Sequence, residues 1–216
     1  SVVLVACAAT GKMGAVNVGT LNVHYEDGDT VTYKYDNDGA LATVTDSATG
    51  RTTTYYYDFT ERLMQYVESG TNYSHIVSYN YDTINNLTSL KETIDNTTRT
   101  TSYAYDDDNR VTSVATGQAR KSYTYDAYGR VSTNTTKNFS TVVKTDTYTF
   151  TSPGANATSG QIATHGVTIP SKTTNYTYTY DDNGNILSVS DGTKTTTYVY
   201  DSANQLIREN NQAAGF

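Results

Sequence analysis

Residues 123–131 read Tyr123-Thr124-Tyr125-Asp126-Ala127-Tyr128-Gly129-Arg130-Val131, and this stretch decides the fold because the chain keeps returning to it. Two rings separated by one residue lie on the same face of a β-strand, with the residue between them facing the other way. The Asp ends that strand, since its short carboxylate accepts hydrogen bonds from backbone N–H groups about two residues on and closes a turn. Gly129 supplies the positive φ that such a turn needs. Val131 then opens a return strand and can pack across the hairpin against the tyrosine pair.

The same unit is found at Tyr33-Lys34-Tyr35-Asp36, Tyr55-Tyr56-Tyr57-Asp58, Tyr79-Asn80-Tyr81-Asp82, Tyr103-Ala104-Tyr105-Asp106, Tyr178-Thr179-Tyr180-Asp181 and Tyr198-Val199-Tyr200-Asp201. A degenerate copy, Tyr148-Thr149-Phe150-Thr151, fills the longest gap. Gly39 and Gly184, with Asn85, Asn109 and Asn204, take the turn position, and Leu41, Leu63, Leu87, Val111, Ile186 and Leu206 open the return strands. Repeats that return at intervals of roughly two dozen residues mean a stacked array in which each unit leans on its neighbours. The hairpins expected from this pattern run 41–58, 63–82, 87–106, 111–126 and 131–150.

Composition sharpens the picture. Thr and Ser make up about a quarter of the 216 residues, Tyr numbers 21, and Trp is absent. Thr and Tyr are strong strand formers, and a tyrosine buries a ring while its hydroxyl meets a polar partner. Aliphatic residues are too few for the two apolar inner faces of a sandwich. The expected fold is therefore all-β: consecutive antiparallel hairpins in a curved or spiralling single-layer sheet. No stretch has a 3.6-residue apolar period, so no helix is expected.

The net charge of −7 and pI near 4.8 argue against nucleic acid, which needs clustered Lys and Arg. Arg62, Arg110 and Arg130 occur singly at the turn and read as solvated residues. The single cysteine, Cys7, excludes an internal disulfide, and nothing has zinc-ligand spacing. Leu4-Val5-Ala6-Cys7 looks like a lipoprotein cleavage box without the basic and apolar segments that should precede it, and the plainer reading is a buried strand or a cut edge. No run reaches the length of a transmembrane helix, and the outward strand positions are too polar for a lipid-facing barrel.

Three parts follow: an N-terminal segment 1–24, a repeat array 25–210 of about eight hairpins, and a C-terminal end 211–216 that reads as truncated. Residues 151–172 contain both prolines and lengthen one repeat, either as an insertion loop or as a degenerate hairpin. If the chain has a recognition loop, it is expected there.

Chemistry is hard to place. His24, His75 and His165 sit in unrelated contexts and read as surface residues. The repeated Asp invites thoughts of paired carboxylates or a calcium ladder, yet each Asp sits at a strand-to-turn junction where one structural role covers all of them. Asp106-Asp107-Asp108 and Asp181-Asp182-Asn183 are the densest acidic spots and read as turn caps. The chain is expected to be no enzyme, with no catalytic, cofactor or metal residue. Tyrosines can stack on sugars, which keeps glycan binding open beside the reading in which they pack the sheet.

The pattern Tyr-Asp-x-x-Gly-Arg-Val/Leu, closest at Tyr125–Val131 and seen again at Tyr105–Val111 and Tyr180–Ile186, resembles the YD-repeat or RHS-repeat family. Its members include bacterial RHS and wall-associated polymorphic toxins, the cocoon component of insecticidal Tc toxins, and the teneurins. The resemblance spans about residues 25–210. It implies a ribbon of hairpins spiralling into a hollow shell, which in the toxins encloses a toxic domain, on a secreted or cell-surface protein, here a bacterial one. The family's terminal self-cleavage motif has no counterpart here. The expected role is a structural segment of such a wall, with neighbouring repeats as partners. Adhesion through glycans and self-association into a filament are the alternatives.

Overall fold

The fold is that of a computed structural model, which describes residues 3–6, 19–152, 159–210 and 212–213. Cys7 lies outside the described residues, and so does most of the segment 7–18 that follows it. The chain divides into two compact units, Ser1–Tyr103 and Ala104–Phe216.

The first unit holds β1 (Val3–Ala6), β2 (Thr20–His24), β3 (Thr30–Tyr35), β4 (Leu41–Asp46), β5 (Arg51–Tyr57), β6 (Leu63–Gly70), β7 (Tyr73–Tyr81), β8 (Leu87–Ile94) and most of β9 (Thr97–Tyr105). The second holds β10 (Val111–Thr116), β11 (Ala119–Tyr125), β12 (Val131–Asn138), β13 (Thr141–Phe150), β14 (Ile162–Ile169), β15 (Lys172–Tyr180), β16 (Ile186–Ser190), β17 (Thr195–Tyr200), β18 (Leu206–Glu209) and β19 (Gln212–Ala213). Among the described residues there is no helix, hence none long and apolar enough to cross a membrane.

Within each unit every strand pairs antiparallel with the next in sequence, as local hairpin closure favours. Among the described residues strands pack only on their sequence neighbours, so each unit is a single layer. Burial agrees: Val23 and Val77 are the buried hydrophobic residues among those described, and no side chain is fully enclosed. The alternation is plain in β15, where Tyr176, Tyr178 and Tyr180 are half-buried while Thr177 and Thr179 on the opposite face are exposed.

The aliphatic residues Leu41, Leu63, Leu87, Val111, Val131, Ile186 and Leu206 are the first residues of their strands. In six pairs such a residue stands directly opposite the second tyrosine of the motif: Tyr35–Leu41, Tyr57–Leu63, Tyr81–Leu87, Tyr125–Val131, Tyr180–Ile186 and Tyr200–Leu206. Each pairing comes with a register shift just before that tyrosine, which leaves one return-strand residue (Met64, Leu187 and Ile207 among them) without a partner. This is a β-bulge, repeated unit after unit, and bulges bend a strand and increase its twist.

Residues 151–172 are divided between the two expected forms. Ile162–Ile169 is the regular strand β14, paired on both sides, so a projecting loop does not span the whole stretch. The lengthening sits inside the turn. Thr151 takes the place of Asp: its N–H donates to Gln161 O (2.9 Å), and Ser159 N–H donates to Thr151 O (3.0 Å), a pair of backbone bonds like that of the Asp turns.

Candidate functional site

The geometry repeated along the array is the Asp turn. Asp126 N–H donates to Arg130 O (2.9 Å) and Gly129 N–H donates to Asp126 O (3.0 Å). One carboxylate oxygen, Oδ1, accepts the N–H of Tyr128 (2.9 Å) and of Arg130 (3.0 Å), while Oδ2 accepts the Arg130 Nε–H (2.7 Å). Asp36, Asp58, Asp82, Asp106, Asp181 and Asp201 make the same pair of Oδ1 bonds, to the residues two and four places on. The expected cap is present, and it reaches one bond further than the sequence pattern suggests.

These bonds shape the acidity of the carboxylates. The Thr60 hydroxyl, ahead of the Arg62 guanidinium and N–H, holds Asp58 far below the usual carboxylate range. Asp106 is lowered mainly by the Arg110 N–H and guanidinium, and Asp181 by the Asn185 side-chain amide. At Asp82 and Asp126 burial pushes upward, but the bonds from Asn86 and from Arg130 outweigh it and both are lowered. These carboxylates face their own turns.

The left-handed position of the turn is filled as expected at Gly39, Asn85, Asn109, Gly129, Gly184 and Asn204. The exception is Glu61, with φ of 63°. A side chain with a Cβ is strained there, and Asn tolerates the region better than Glu.

Arg62, Arg110 and Arg130 correct the expectation of solvated residues. Each is ion-paired to the Asp four places before it, at 2.7, 2.8 and 2.6 Å, and is about a quarter to a third exposed. Each guanidinium also lies over a ring of the following repeat: Arg62 over Tyr81 (4.9 Å), Arg110 over Tyr125 (4.7 Å) and Arg130 over Phe150 (3.9 Å). Arg62 further donates to Asn85 Oδ1 (2.6 Å) in the next turn. The residues therefore staple one turn to the next. In the last repeats Asn185 does this with an amide, donating to Asp181 Oδ2 (2.9 Å) and to Asn204 Oδ1 (2.9 Å).

A second connection runs through the tyrosine hydroxyls. Tyr57 OH donates to Leu41 O (2.9 Å), Tyr81 to Leu63 O (2.9 Å), Tyr125 to Val111 O (2.6 Å), Tyr180 to Ile162 O (2.9 Å) and Tyr200 to Ile186 O (3.0 Å). The acceptor is always the first residue of the preceding strand, on the far side from the residue opposite the ring. One side chain thus ties three strands together. Burial raises the pKa of Tyr57, Tyr180 and Tyr200, as it does for Tyr66, Tyr79, Tyr148 and Tyr178.

The histidines are not alike. His24 is exposed and bonds Thr30 Oγ1 (2.9 Å). His75 and His165 are partly buried and paired, against expectation. His75 Nε2 meets Glu92 Oε1 at 2.9 Å beside the Tyr66 ring. His165 Nε2 meets Asp146 Oδ1 at 2.9 Å, with Lys144 Nζ also at 2.9 Å and the Tyr148 ring stacked on the imidazole at 4.7 Å. Asp146 is 3% exposed, and although burial pushes its carboxyl up, His165 and Lys144 bring it below the ordinary range. The cluster sits beside the degenerate repeat, whose Thr151 supplies no carboxylate. Lys144, Asp146 and Tyr148 stand at alternate positions of β13, but no sequence spacing links them to His165, which comes from β14. Among the described residues no group of three or more His, Cys, Asp or Glu is arranged to hold a metal ion.

No curated protein matches the chain in sequence. In structure it resembles that of TcdB2-TccC3, at 14% identity and TM-score 0.37, over 88% of this chain and 14% of that one. It also resembles a porin-like protein from Bacteroides uniformis, at 14% identity and TM-score 0.31, over 93% of this chain and 89% of that one. The RHS Repeat family model matches residues 180–215, which hold the Asp181 and Asp201 turns and the Tyr200 hydroxyl bond. The turns upstream repeat the same residues and the same hydrogen bonds as the matched segment.

Proposed function

We propose that the chain is a non-catalytic structural element, a stretch of wall in a shell or tube built from RHS repeats by a secreted or cell-surface bacterial protein. The observation that carries this reading is the repeated expenditure of the same groups. In repeat after repeat the Asp is bonded to its own turn, and the hydroxyls of Tyr57, Tyr81, Tyr125, Tyr180 and Tyr200 meet the backbone of the preceding strand. Groups so engaged serve cohesion, and an array without a thick core depends on such contacts between neighbours. In this reading the partners are further repeats, and the space enclosed by the wall holds a toxin domain of the same polypeptide.

The test has two parts. Electron microscopy of the intact parent protein should reveal a hollow particle with density inside; a particle with no lumen would refute enclosure. The isolated chain should melt cooperatively at the same temperature with and without soluble glycans. A ligand-dependent rise in that temperature would favour the second reading, adhesion through glycans. That alternative has some support from rings turned to solvent, namely Tyr56, Phe59 and Tyr128 at 50%, 97% and 63% exposure.

A further inference from the structure

The Asp turns differ in their third and fourth residues, and in one of them the pair is Asn183-Gly184, the sole Asn-Gly step in the sequence. In the other turns the third position holds Asp38, Thr60, Ile84, Asp108, Tyr128 or Ala203. Asn183 is exposed, and its side-chain amide has a single long bond, Nδ2 to Asn204 Oδ1 at 3.3 Å. Gly184 has no Cβ to shield its nitrogen, and its φ is +88°. Its N–H donates to Asp181 O (3.0 Å), a bond that must open before the nitrogen can act as a nucleophile.

We propose that Asn183-Gly184 is a site of spontaneous deamidation, and that one of its two products unfastens the turn. The Gly184 backbone nitrogen gives up its proton and attacks Asn183 Cγ. The new N–Cγ bond forms as Cγ–Nδ2 breaks, and Nδ2 leaves with the proton as ammonia, giving a five-membered succinimide. Water then opens the ring at one carbonyl or the other. One opening yields Asp at 183, and the other yields isoaspartate, in which the main chain runs through Cβ and Cγ. The net change is amide plus water to acid plus ammonia.

The two products differ in their effect on the turn. Asp is accommodated, because Asp38 and Asp108 occupy the same position in sister turns with the same Oδ1 bonds. Isoaspartate adds an extra main-chain carbon between the N–H groups of residues 183 and 185. Both of these are gripped by Asp181 Oδ1, at 3.0 and 2.8 Å, and the spacing of that grip is lost. The bulged pairing of Tyr180 with Ile186 depends on the same turn.

The experiment is ageing of the whole chain at neutral pH and 37 °C, with peptide mapping and a synthetic peptide of residues 178–188 alongside. The expected result is a gain of about 1 Da at Asn183 before any other asparagine, slower than in the peptide because the Gly184 N–H is bonded in the fold. Separated isoaspartate-containing chain should melt at a lower temperature than fresh protein, whereas Asn183→Asp should melt like it. The proposal is overturned if another asparagine converts first, or if Asn183 stays intact through several half-lives of the peptide. It is equally overturned if the isoaspartate form melts with Asn183→Asp.

Discussion

Truncation of Tyr125 to Ala is the perturbation that reaches most of the array's cohesion at one position. The ring stands opposite Val131 and under the Arg110 guanidinium, and its hydroxyl donates to Val111 O at 2.6 Å. Removing an enclosed aromatic from a core costs about 3–5 kcal/mol. Here the ring is only half-buried, which lowers that part, but the lost hydroxyl bond restores about 1 kcal/mol. The expected loss is about 3 kcal/mol for Tyr125→Ala and about 1 kcal/mol for Tyr125→Phe, which keeps the ring and deletes the bond to Val111. Urea denaturation followed by circular dichroism measures both, and Tyr125→Phe should lower the midpoint without changing the slope. A Tyr125→Ala midpoint indistinguishable from wild type would mean that the ring does no packing, and the reasoning would fail.

Replacing Glu61 by Gly should stabilise by about 0.5–1 kcal/mol, because relief of a strained positive φ exceeds the added freedom of the unfolded chain; a loss of stability would show that Glu61 is held by something other than the turn. Gly166→Ala should destabilise by about 1–3 kcal/mol, since a Cβ there runs into the Thr147 hydroxyl and comes within 2.9 Å of Asn175 Oδ1; an unchanged melting temperature would contradict this. Acid should also unfold the array. Asp58, Asp106 and Asp181 have folded pKa values below the unfolded one, so their contribution is complete above about pH 4 and is lost as pH falls through the folded values. Denaturant midpoints constant from pH 6 to pH 2.5 would refute the role given to these carboxylates.

The strands were legible because period and punctuation agree. Tyr-x-Tyr fixes a face, Asp with Gly or Asn fixes a reversal, and a lone aliphatic marks the next strand's first residue, so that Leu41, Leu63 and Val131 fall at observed boundaries. The connections between repeats were not legible. Alternation tells which face Tyr57 occupies but not that its hydroxyl crosses to Leu41 O, since that depends on the bulge at Tyr57 bringing the ring end over the preceding strand. Arg62, Arg110 and Arg130 looked like solvated charge because single basic residues on turns usually are. The available signal was their constant place four residues after an Asp, the spacing at which a guanidinium can return to the carboxylate while its stem crosses a neighbouring ring. Glu61 was hidden for the opposite reason, as the turn overrides the residue's own preference. The Asp146, His165 and Lys144 cluster is assembled by pairing of β13 with β14, which no local pattern encodes.

Packing of the tyrosines between strands is tested most directly by a spectrophotometric alkaline titration of the intact chain. Tyr57, Tyr66, Tyr79, Tyr178 and Tyr180 have pKa values raised by burial, so the stability tied to their protonated form is complete below about pH 10 and lost as pH rises through the folded values. The predicted result is a set of tyrosines that ionise only above the free value, together with loss of the β-sheet signal. Ionisation of all 21 tyrosines near pH 10 with the sheet intact would contradict it.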